Sequence, residues 1–224
     1  MKKIILQIVL AALAIFLVYE CYESISIPQK FKVIKEQRYA KVIQRLVDIR
    51  SAQVAYRDLN KKYANDFDEL INFVKNDSIK VVRSIGELTD DQLEAGMTEE
   101  KAIKEGLILR DTIRVAAFEH IIKNAQKDGG TFCSDYTIDD IRYVPFTNRK
   151  YQFIMGSQIK YSDSGSEIPL FEARVTNSMI FENLPQQFQE FVLETNGEAI
   201  RLKKYAGLKV GDIRESNNNV GNWQ

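Results

Sequence analysis

The chain of 224 residues is 45% hydrophobic and 28% charged, and its 31 basic residues balance its 31 acidic residues. This composition excludes a disordered chain, and the zero net charge argues against a dedicated nucleic-acid-binding protein, which needs surplus cations to attract phosphates. The two cysteines can neither form a disulfide framework nor fill a four-ligand zinc site on their own. The length allows one or two domains with ample residues for a packed core.

The N-terminus carries an uncharged apolar run of sixteen residues, Ile4 to Tyr19, directly after Lys2 and Lys3. A helix of that length spans about 24 Å, and flanking lysines and tyrosines can extend it across the ~30 Å hydrocarbon core of a bilayer. We therefore predict that residues 1–26 form an uncleaved, single-pass membrane anchor. The apolar residues expected to face lipid are Ile4, Leu6, Val9, Leu10, Leu13, Ile15, Phe16, Leu17 and Val18.

Two other interpretations of this segment stay open. Ser24-Ile25-Ser26 offers small residues for signal-peptide cleavage, and Cys21 is a position for lipidation, although the bulky and charged residues before it do not suit a lipobox. The lysines at the start favour a cytoplasmic N-terminus, while the basic residues of 30–38 weaken that asymmetry. We expect an inner-membrane protein with its C-terminal domain, residues 27–224, in the periplasm.

A long amphipathic helix is predicted next. Ile27-Pro28 is expected to break the first helix or to start the next one. From Gln29 to about Lys62 the chain lacks glycine and proline, and apolar residues recur every three or four positions, as at Val42, Leu46 and Ile49. Two interpretations of this stripe stay open: it packs on its own domain, or it packs partly on another subunit. Its positions nearer the membrane, Phe31, Ile34 and Tyr39, are expected to be free to meet partners.

Short helices and strands are predicted in the middle of the chain. Asp66 and Glu69 form a capping pattern that predicts a helix reaching Val74. The residues after it predict a strand ending near Gly86, a polar surface excursion from Thr89 to Gly106, and a strand within Leu107–Phe118.

Beyond Gly129-Gly130 the pattern favours strands. It predicts an edge strand at Ile141–Phe146, a hairpin of Tyr151–Tyr161 and Ile168–Val175 with Gly165 in the turn, a mixed segment that is helical around 185–191, and a last strand at Leu208–Ile213. The predicted fold class is α+β: a transmembrane helix, then a long amphipathic helix packed on a small, mostly antiparallel sheet. Residues 27–75 are expected to be helical and residues 76–224 mainly sheet.

The apolar N-terminal helix, Ile27-Pro28 just after it, and the segment from Arg45 to Val74 resemble the type IV pilins and type II secretion pseudopilins. In those proteins an amphipathic helix similarly leads through a tyrosine-rich turn into an acidic short helix and a sheet. The chain departs from the family at the peptidase site, because it lacks a glycine before the apolar stretch and a glutamate five residues into it; the first acidic residue is Glu20.

The resemblance implies a non-enzymatic structural or scaffold component of a bacterial envelope assembly. Its expected partners are the lipid bilayer and other envelope proteins or further copies of itself. The alternative is a monomeric tethered periplasmic module that binds a peptide, a glycan or another envelope ligand. A concave pocket with converging polar and aromatic groups favours the alternative.

Candidate chemistry is sparse. His120 beside Glu119 has the composition of a general base with its carboxylate, but no nucleophile motif or metal-binding motif accompanies it. Asp135, Asp139 and Asp140 lack the spacing of a calcium loop, so turn formation and capping explain them better. We therefore expect no enzymatic activity, no cofactor, no metal site and no nucleic-acid partner.

Overall fold

The computed structural model describes residues 2–86, 88–89, 92, 94, 96–104, 106–127, 130–162 and 164–223. The chain divides into two compact units: unit 1 comprises Met1–Arg50 and Asp140–Gln224, and unit 2 comprises Ser51–Asp139. The predicted boundary between residues 26 and 27 stays a prediction, because it depends on where the chain leaves a membrane.

Helix α1 runs without interruption from Lys2 to Asn60. The predicted break at Ile27-Pro28 is wrong, because Pro28 lies inside this helix. Proline holds φ near the helical value and removes a single N–H donor from the helix. Since Pro28 and the turn before it are largely exposed, water can replace that donor, and the helix continues.

The apolar part of α1 is exposed. Within the described part of the chain, α1 is the one helix that is long and apolar enough to cross a membrane. Of the predicted anchor residues, Leu6 lies in the helix, but its side chain is outside the described part of the chain. The others are all more than half exposed: Ile4, Val9, Leu10, Leu13, Ile15, Phe16, Leu17 and Val18.

Unit 2 contains a small antiparallel sheet flanked by helices. Its elements are α2 (Phe67–Asn76), β1 (Ser78–Ile85), α3 (Glu99–Lys104), β2 (Leu109–Ala116) and α4 (Ala117–Lys127). Strands β1 and β2 pair along their whole length, with Ser78 opposite Ala116. The strand predicted to end near Gly86 is confirmed. Of the predicted excursion, residues 90, 91, 93, 95 and 105 lie outside the described residues, as does Gly129.

Hydrogen bonds join the end of α1 to α2 in unit 2. The buried amide of Gln53 bonds the backbone N–H and the carbonyl of Ala64, each at 2.9 Å. Asp66 caps α2 as predicted, accepting from the Glu69 N–H at 2.8 Å. Glu69 also accepts from the Tyr56 hydroxyl at 2.5 Å, and the Tyr56 ring meets Phe73 edge to face. The turn between the two helices is therefore held by side chains from both.

Unit 1 contains a three-stranded antiparallel sheet with the order β3-β4-β5. The strands are β3 (Ile154–Tyr161), β4 (Glu167–Thr176) and β5 (Gly207–Gly211), and helices α5 (Asn177–Ile180) and α6 (Gln189–Arg201) lie between β4 and β5 in the chain. The predicted hairpin and last strand are confirmed. Gly165 occupies the turn with φ +79°, a value that favours glycine.

The stripe of α1 packs within unit 1. Val42, Leu46 and Ile49 are fully buried. Nearer the N-terminus, Phe31 is only 6% exposed, and its ring contacts those of Phe181, Phe188 and Phe191 at centroid distances of 5.8, 6.2 and 5.5 Å. The apolar face of this part of α1 therefore forms part of the core.

The edge strand predicted at Ile141–Phe146 is wrong. A 3-10 helix spans Ile138–Arg142, and after it a single bridge joins Tyr143 to Gln152. The two buried apolar residues of this segment, Ile141 and Val144, are three positions apart, so they do not follow the two-residue period of a strand. Phe146 then adopts φ +67°, which ends any extended run.

The expectation of a single sheet and of a mainly-sheet region at 76–224 is also wrong. The described residues form two separate small sheets, and helices share residues 76–224 with the strands. Helix α4 buries Ala117 and Ile121, and helix α6 buries Val192.

Candidate functional site

Unit 1 contains a cleft of ≈ 600 Å³ at the end of its sheet, within the size range of ligand sites. Its lining comes from α1, β4, α5, α6, β5 and the loops around β5. Five cations and one carboxylate line it, together with two tyrosines and a few neutral polar groups. The charged lining residues are Glu172, Arg174, Lys203, Lys204, Lys209 and Arg214.

The carboxylate of Glu172 neutralises part of this charge. Glu172 is 8% exposed, and its oxygens lie 3.1 Å from Arg174 Nη1 and 3.5 Å from Lys209 Nζ. Lys209 also pairs with Asp212 at 2.7 Å. Burial by itself would lower the pKa of Lys209, but the hydrogen bond and charge of Asp212, with Glu172, raise it above its ordinary value. Lys209 therefore stays charged, and its charge is shared between two carboxylates.

The neutral polar groups of the cleft are committed to the fold. The Tyr39 hydroxyl donates to Asn177 Oδ1 at 2.6 Å, and Asn177 Nδ2 donates to Asn196 Oδ1 at 3.0 Å. Asn177 is 2% exposed, so this chain links α1, α5 and α6 inside the unit. Burial raises the pKa of Tyr39 to about 12, and the phenol stays protonated at neutral pH.

Further neutral groups are used in the same way. Asn222 receives the N–H of Lys209 at 3.0 Å and donates to the Gly207 carbonyl at 2.9 Å. The Thr195 hydroxyl donates to the Phe191 carbonyl at 2.8 Å. These side chains shape the walls, and their hydrogen-bonding capacity is largely taken.

Two cations in the cleft have no such commitment. The side chains of Lys203 and Lys204 make no hydrogen bond or ion pair with any described residue. The Arg214 side chain forms no ion pair either, but its charge interacts with the Asp212 carboxylate, which also accepts the Arg214 N–H at 2.8 Å. Lys203 and Lys204 follow α6 in a Schellman motif, in which the Lys204 N–H donates to the Ala199 carbonyl at 2.8 Å and the Lys203 N–H to the Ile200 carbonyl at 3.0 Å.

The motif places Lys203 in a strained conformation. Its φ is +53°, in the left-handed region that this position usually reserves for glycine. A side chain there costs about 1–2 kcal/mol relative to the ordinary helical conformation. Glycine would avoid this cost, as it would at Lys61, whose φ is +63°.

The predicted partner-facing residues lie elsewhere than expected. Phe31 is buried in the aromatic cluster, Tyr39 lines the cleft and is stacked on Phe181, and Ile34 is half-buried. The expectation that Phe31 and Tyr39 are free to meet partners is therefore wrong, because unit 1 itself covers this side of α1.

The other candidate groups take structural roles. His120 is half-buried, and its Nε2 lies 2.9 Å from Asn124 Nδ2, one helical turn away on α4. Asp139 pairs with Lys75 at 2.6 Å, and Asp140 pairs with Arg149 at 2.9 Å. In the part of the chain that the structure describes, no three His, Cys, Asp or Glu residues converge to hold a metal ion.

The cleft cations were not predicted from the sequence. They come from β4, from the loop after α6, from β5 and from the loop after it, so no local pattern joins them. The one local signal is the adjacent pair Lys203-Lys204 directly after a helix, which by itself is ordinary solvated charge.

No family model matches the chain, and neither a curated protein nor a solved structure matches it. The pilin-like assignment therefore stays a proposal, and function is argued from the chemistry of the cleft.

Proposed function

We propose that the protein is a membrane-tethered module that binds an anionic ligand of the cell envelope in the cleft of unit 1. The observation that carries the proposal is the adjacent pair Lys203 and Lys204, which lines a cleft without a hydrogen bond or ion pair to any described residue. Arg214 adds a third positive charge, which it shares with Asp212. Such charges are available to a ligand at no loss of internal ion pairs.

The exposed apolar segment of α1 supports the tether. The described side chains from Ile4 to Val18 are exposed, and water is an unfavourable solvent for so large an apolar surface. A bilayer is the environment that satisfies such a helix completely, because its backbone is already hydrogen-bonded. The proposed location is the inner membrane, with the C-terminal domain on the periplasmic side.

Lipid is not the sole surface that suits this segment. A pilin-like structural role is the second candidate, since the exposed face of residues 4–25 can also pack against copies of itself. Phe31 and the stripe residues Val42, Leu46 and Ile49 are buried, so fewer apolar side chains on the rest of α1 are available for contacts with other copies. The proposal is therefore a binding module first and a scaffold second.

Anion binding is tested with the full-length protein in detergent, by calorimetric titration with tripolyphosphate. We expect Lys203→Glu/Lys204→Glu to weaken binding by at least about tenfold, since two attractive charges become repulsive. The matched control is Lys61→Glu/Lys62→Glu, another adjacent pair directly after a helix, whose first residue also has a left-handed φ of +63°. Equal loss in both double variants would mean general attraction and would overturn the proposal.

Lys203→Gly separates charge from folding. Glycine suits the left-handed position, so we expect the free energy of unfolding to rise by up to about 1 kcal/mol while tripolyphosphate binding weakens. Lys61→Gly should give the same gain in stability without any change in binding. Unchanged binding in Lys203→Gly and in the double variant would exclude the cleft as the site.

The scaffold candidate is tested by crosslinking in native membranes. A self-associating scaffold predicts crosslinks between apolar segments of neighbouring copies, and a monomeric module predicts none above the level of random collisions. Leu13→Cys in a Cys21→Ser background places the reporter at the centre of the segment.

A further inference from the structure

The cleft and the anchor segment share one uninterrupted helix. Tyr22, which is 65% exposed, follows the apolar run by three residues, at a position where an aromatic side chain suits the membrane interface, and Tyr39 lines the cleft seventeen residues later on α1. At 1.5 Å per residue these positions are about 25 Å apart along the axis. A helix tilt of about 20° reduces the height by only ~2 Å. With α1 anchored as proposed, the cleft stands about 25 Å above the bilayer interface.

The unused donors of the cleft are charged. Its amides, the Tyr39 hydroxyl and the Thr195 hydroxyl bond to neighbouring groups of the unit. Tyr205 is the neutral exception, since its phenol makes no hydrogen bond with a described residue, and burial raises its pKa. A neutral sugar therefore finds few groups to satisfy its hydroxyls, whereas an anion finds ammonium and guanidinium donors.

The cations of the cleft form two groups, one that is ion-paired with carboxylates and one that is not. Arg174 and Lys209 share Glu172, and Lys209 also meets Asp212. Lys203, Lys204 and Arg214 form no ion pair; the two lysines are uncompensated, and the charge of Arg214 is partly offset by Asp212. A ligand with one negative charge leaves most of this second group unpaired, and one with several charges can pair with all of it.

We infer that the cleft takes a polyanion from the space outside the bilayer, a chain or molecule with two or more phosphate or carboxylate groups, and not the headgroup of an anionic lipid. The inference rests on the proposed function. Height excludes the lipid, because a headgroup stays at the interface about 25 Å below the cleft. Charge selects a multivalent ligand over a neutral or singly charged one.

Charge number is tested on full-length protein reconstituted in phosphatidylcholine vesicles. We expect tripolyphosphate and citrate to bind at least about tenfold more tightly than acetate, and maltotriose not to bind. Lys203→Glu/Lys204→Glu should remove most of this difference, and Lys61→Glu/Lys62→Glu should keep it. Equal affinity for acetate and tripolyphosphate would overturn the inference while leaving anion binding intact.

The source of the ligand is tested by adding phosphatidylglycerol to the vesicles. We expect tripolyphosphate affinity at about 0.1 M salt to stay within about twofold, because the lipid does not reach the cleft and its field is screened within about 10 Å. A loss of affinity that grows with the phosphatidylglycerol fraction, as competition for one site does, would show lipid in the cleft; the inference would then fail and the proposed function would stand. Absence of binding by any anion would overturn both.

Height is measured directly by energy transfer. A donor dye on Glu215→Cys, in a Cys21→Ser/Cys133→Ser background, reports the distance from the residue next to Arg214 to acceptor dyes at the lipid headgroups. We expect a separation of about 25 Å from the interface. Contact quenching at headgroup level would contradict the inference.

Discussion

The two segments of α1, Ile4–Ile25 and Phe31–Ile49, are both rich in apolar side chains, yet they differ in burial. Every described side chain from Ile4 to Tyr22 is exposed, whereas Val42, Leu46 and Ile49 in the second segment are fully buried. In the first segment the apolar residues cover all faces of the helix, so one neighbouring element cannot cover them. In the second they form one stripe with lysines and arginines on the other faces, and the unit covers that stripe itself.

The difference teaches that the distribution of apolar residues around a helix, rather than their number, decides what covers it. An all-round apolar helix needs an all-round apolar medium, and a stripe needs one packed surface. Pairs of identical residues in the two segments allow this contrast to be tested within one helix.

Phe31→Ala against Phe16→Ala is the largest expected contrast. Phe31 fills the aromatic cluster, so its removal should lower the free energy of unfolding of unit 1 by about 3–5 kcal/mol. Phe16 is 56% exposed, and its removal should leave that free energy unchanged in detergent. Denaturant unfolding monitored by circular dichroism measures both, and equal effects would contradict the assignment of Phe31 to the core.

Leu46→Ala should cost about 2–5 kcal/mol, because Leu46 is fully buried and its removal leaves a cavity. Leu13→Ala, at a position 52% exposed, is the matched control and should not change the stability of unit 1. A stability loss in Leu13→Ala alone would contradict the assignment of Leu46 to the core of unit 1 and of Leu13 to the exposed segment.

Leu13→Arg tests the first segment in the membrane. Arginine at the centre of a span costs about 2.5–3.5 kcal/mol on insertion scales, so we expect the protein to leave the membrane fraction after alkaline carbonate extraction. Val33→Arg, on an exposed face of the second segment, should leave the membrane fraction unchanged. Retention of Leu13→Arg in the membrane would contradict the anchor.

Tyr39→Phe against Tyr22→Phe is the smallest contrast. Without the Tyr39 hydroxyl, the buried Asn177 loses a donor, which should cost about 1–3 kcal/mol. Tyr22 is 65% exposed, and its hydroxyl should be dispensable. A thermal unfolding series of both variants checks the difference.

The same variant has a pH signature. The pKa of Tyr39 is raised from 10.0 to about 12, so folding favours the protonated phenol, and its contribution to stability is lost as pH rises from about 10 to 12. We expect the free energy of unfolding of Tyr39→Phe to fall less steeply with rising pH than that of the wild type across this range. The free energy of unfolding of Tyr22→Phe should follow that of the wild type. Parallel curves for all three proteins would contradict the role of burial.

Local patterns predicted much of the fold. The apolar run, the capping residue Asp66, the hairpin turn at Gly165 and the last short strand depend on neighbours in sequence, and each was predicted correctly as local structure. Errors arose where tertiary structure overrode a local rule. The segment Ile141–Phe146 was predicted as a strand, but its two buried apolar residues, Ile141 and Val144, do not follow a strand's two-residue period. Pro28 suits a helix interior when the freed carbonyl group is solvated.

The cleft was beyond such patterns. Glu172, Lys204 and Arg214 lie far apart in sequence, and a lysine that lines a cleft has the same local signature as one in solvent.

The sequence by itself determined that α1 is apolar on all faces at its start and apolar on one stripe further on, because composition and period belong to the chain. Tertiary structure alone decided that Phe31 and Tyr39 point into their own unit and that Lys203 and Lys204 line a cleft without an ion pair to any described residue. The physical reason is that burial and ion pairing depend on contacts between segments that are distant in sequence. Packing of the whole unit determines those contacts.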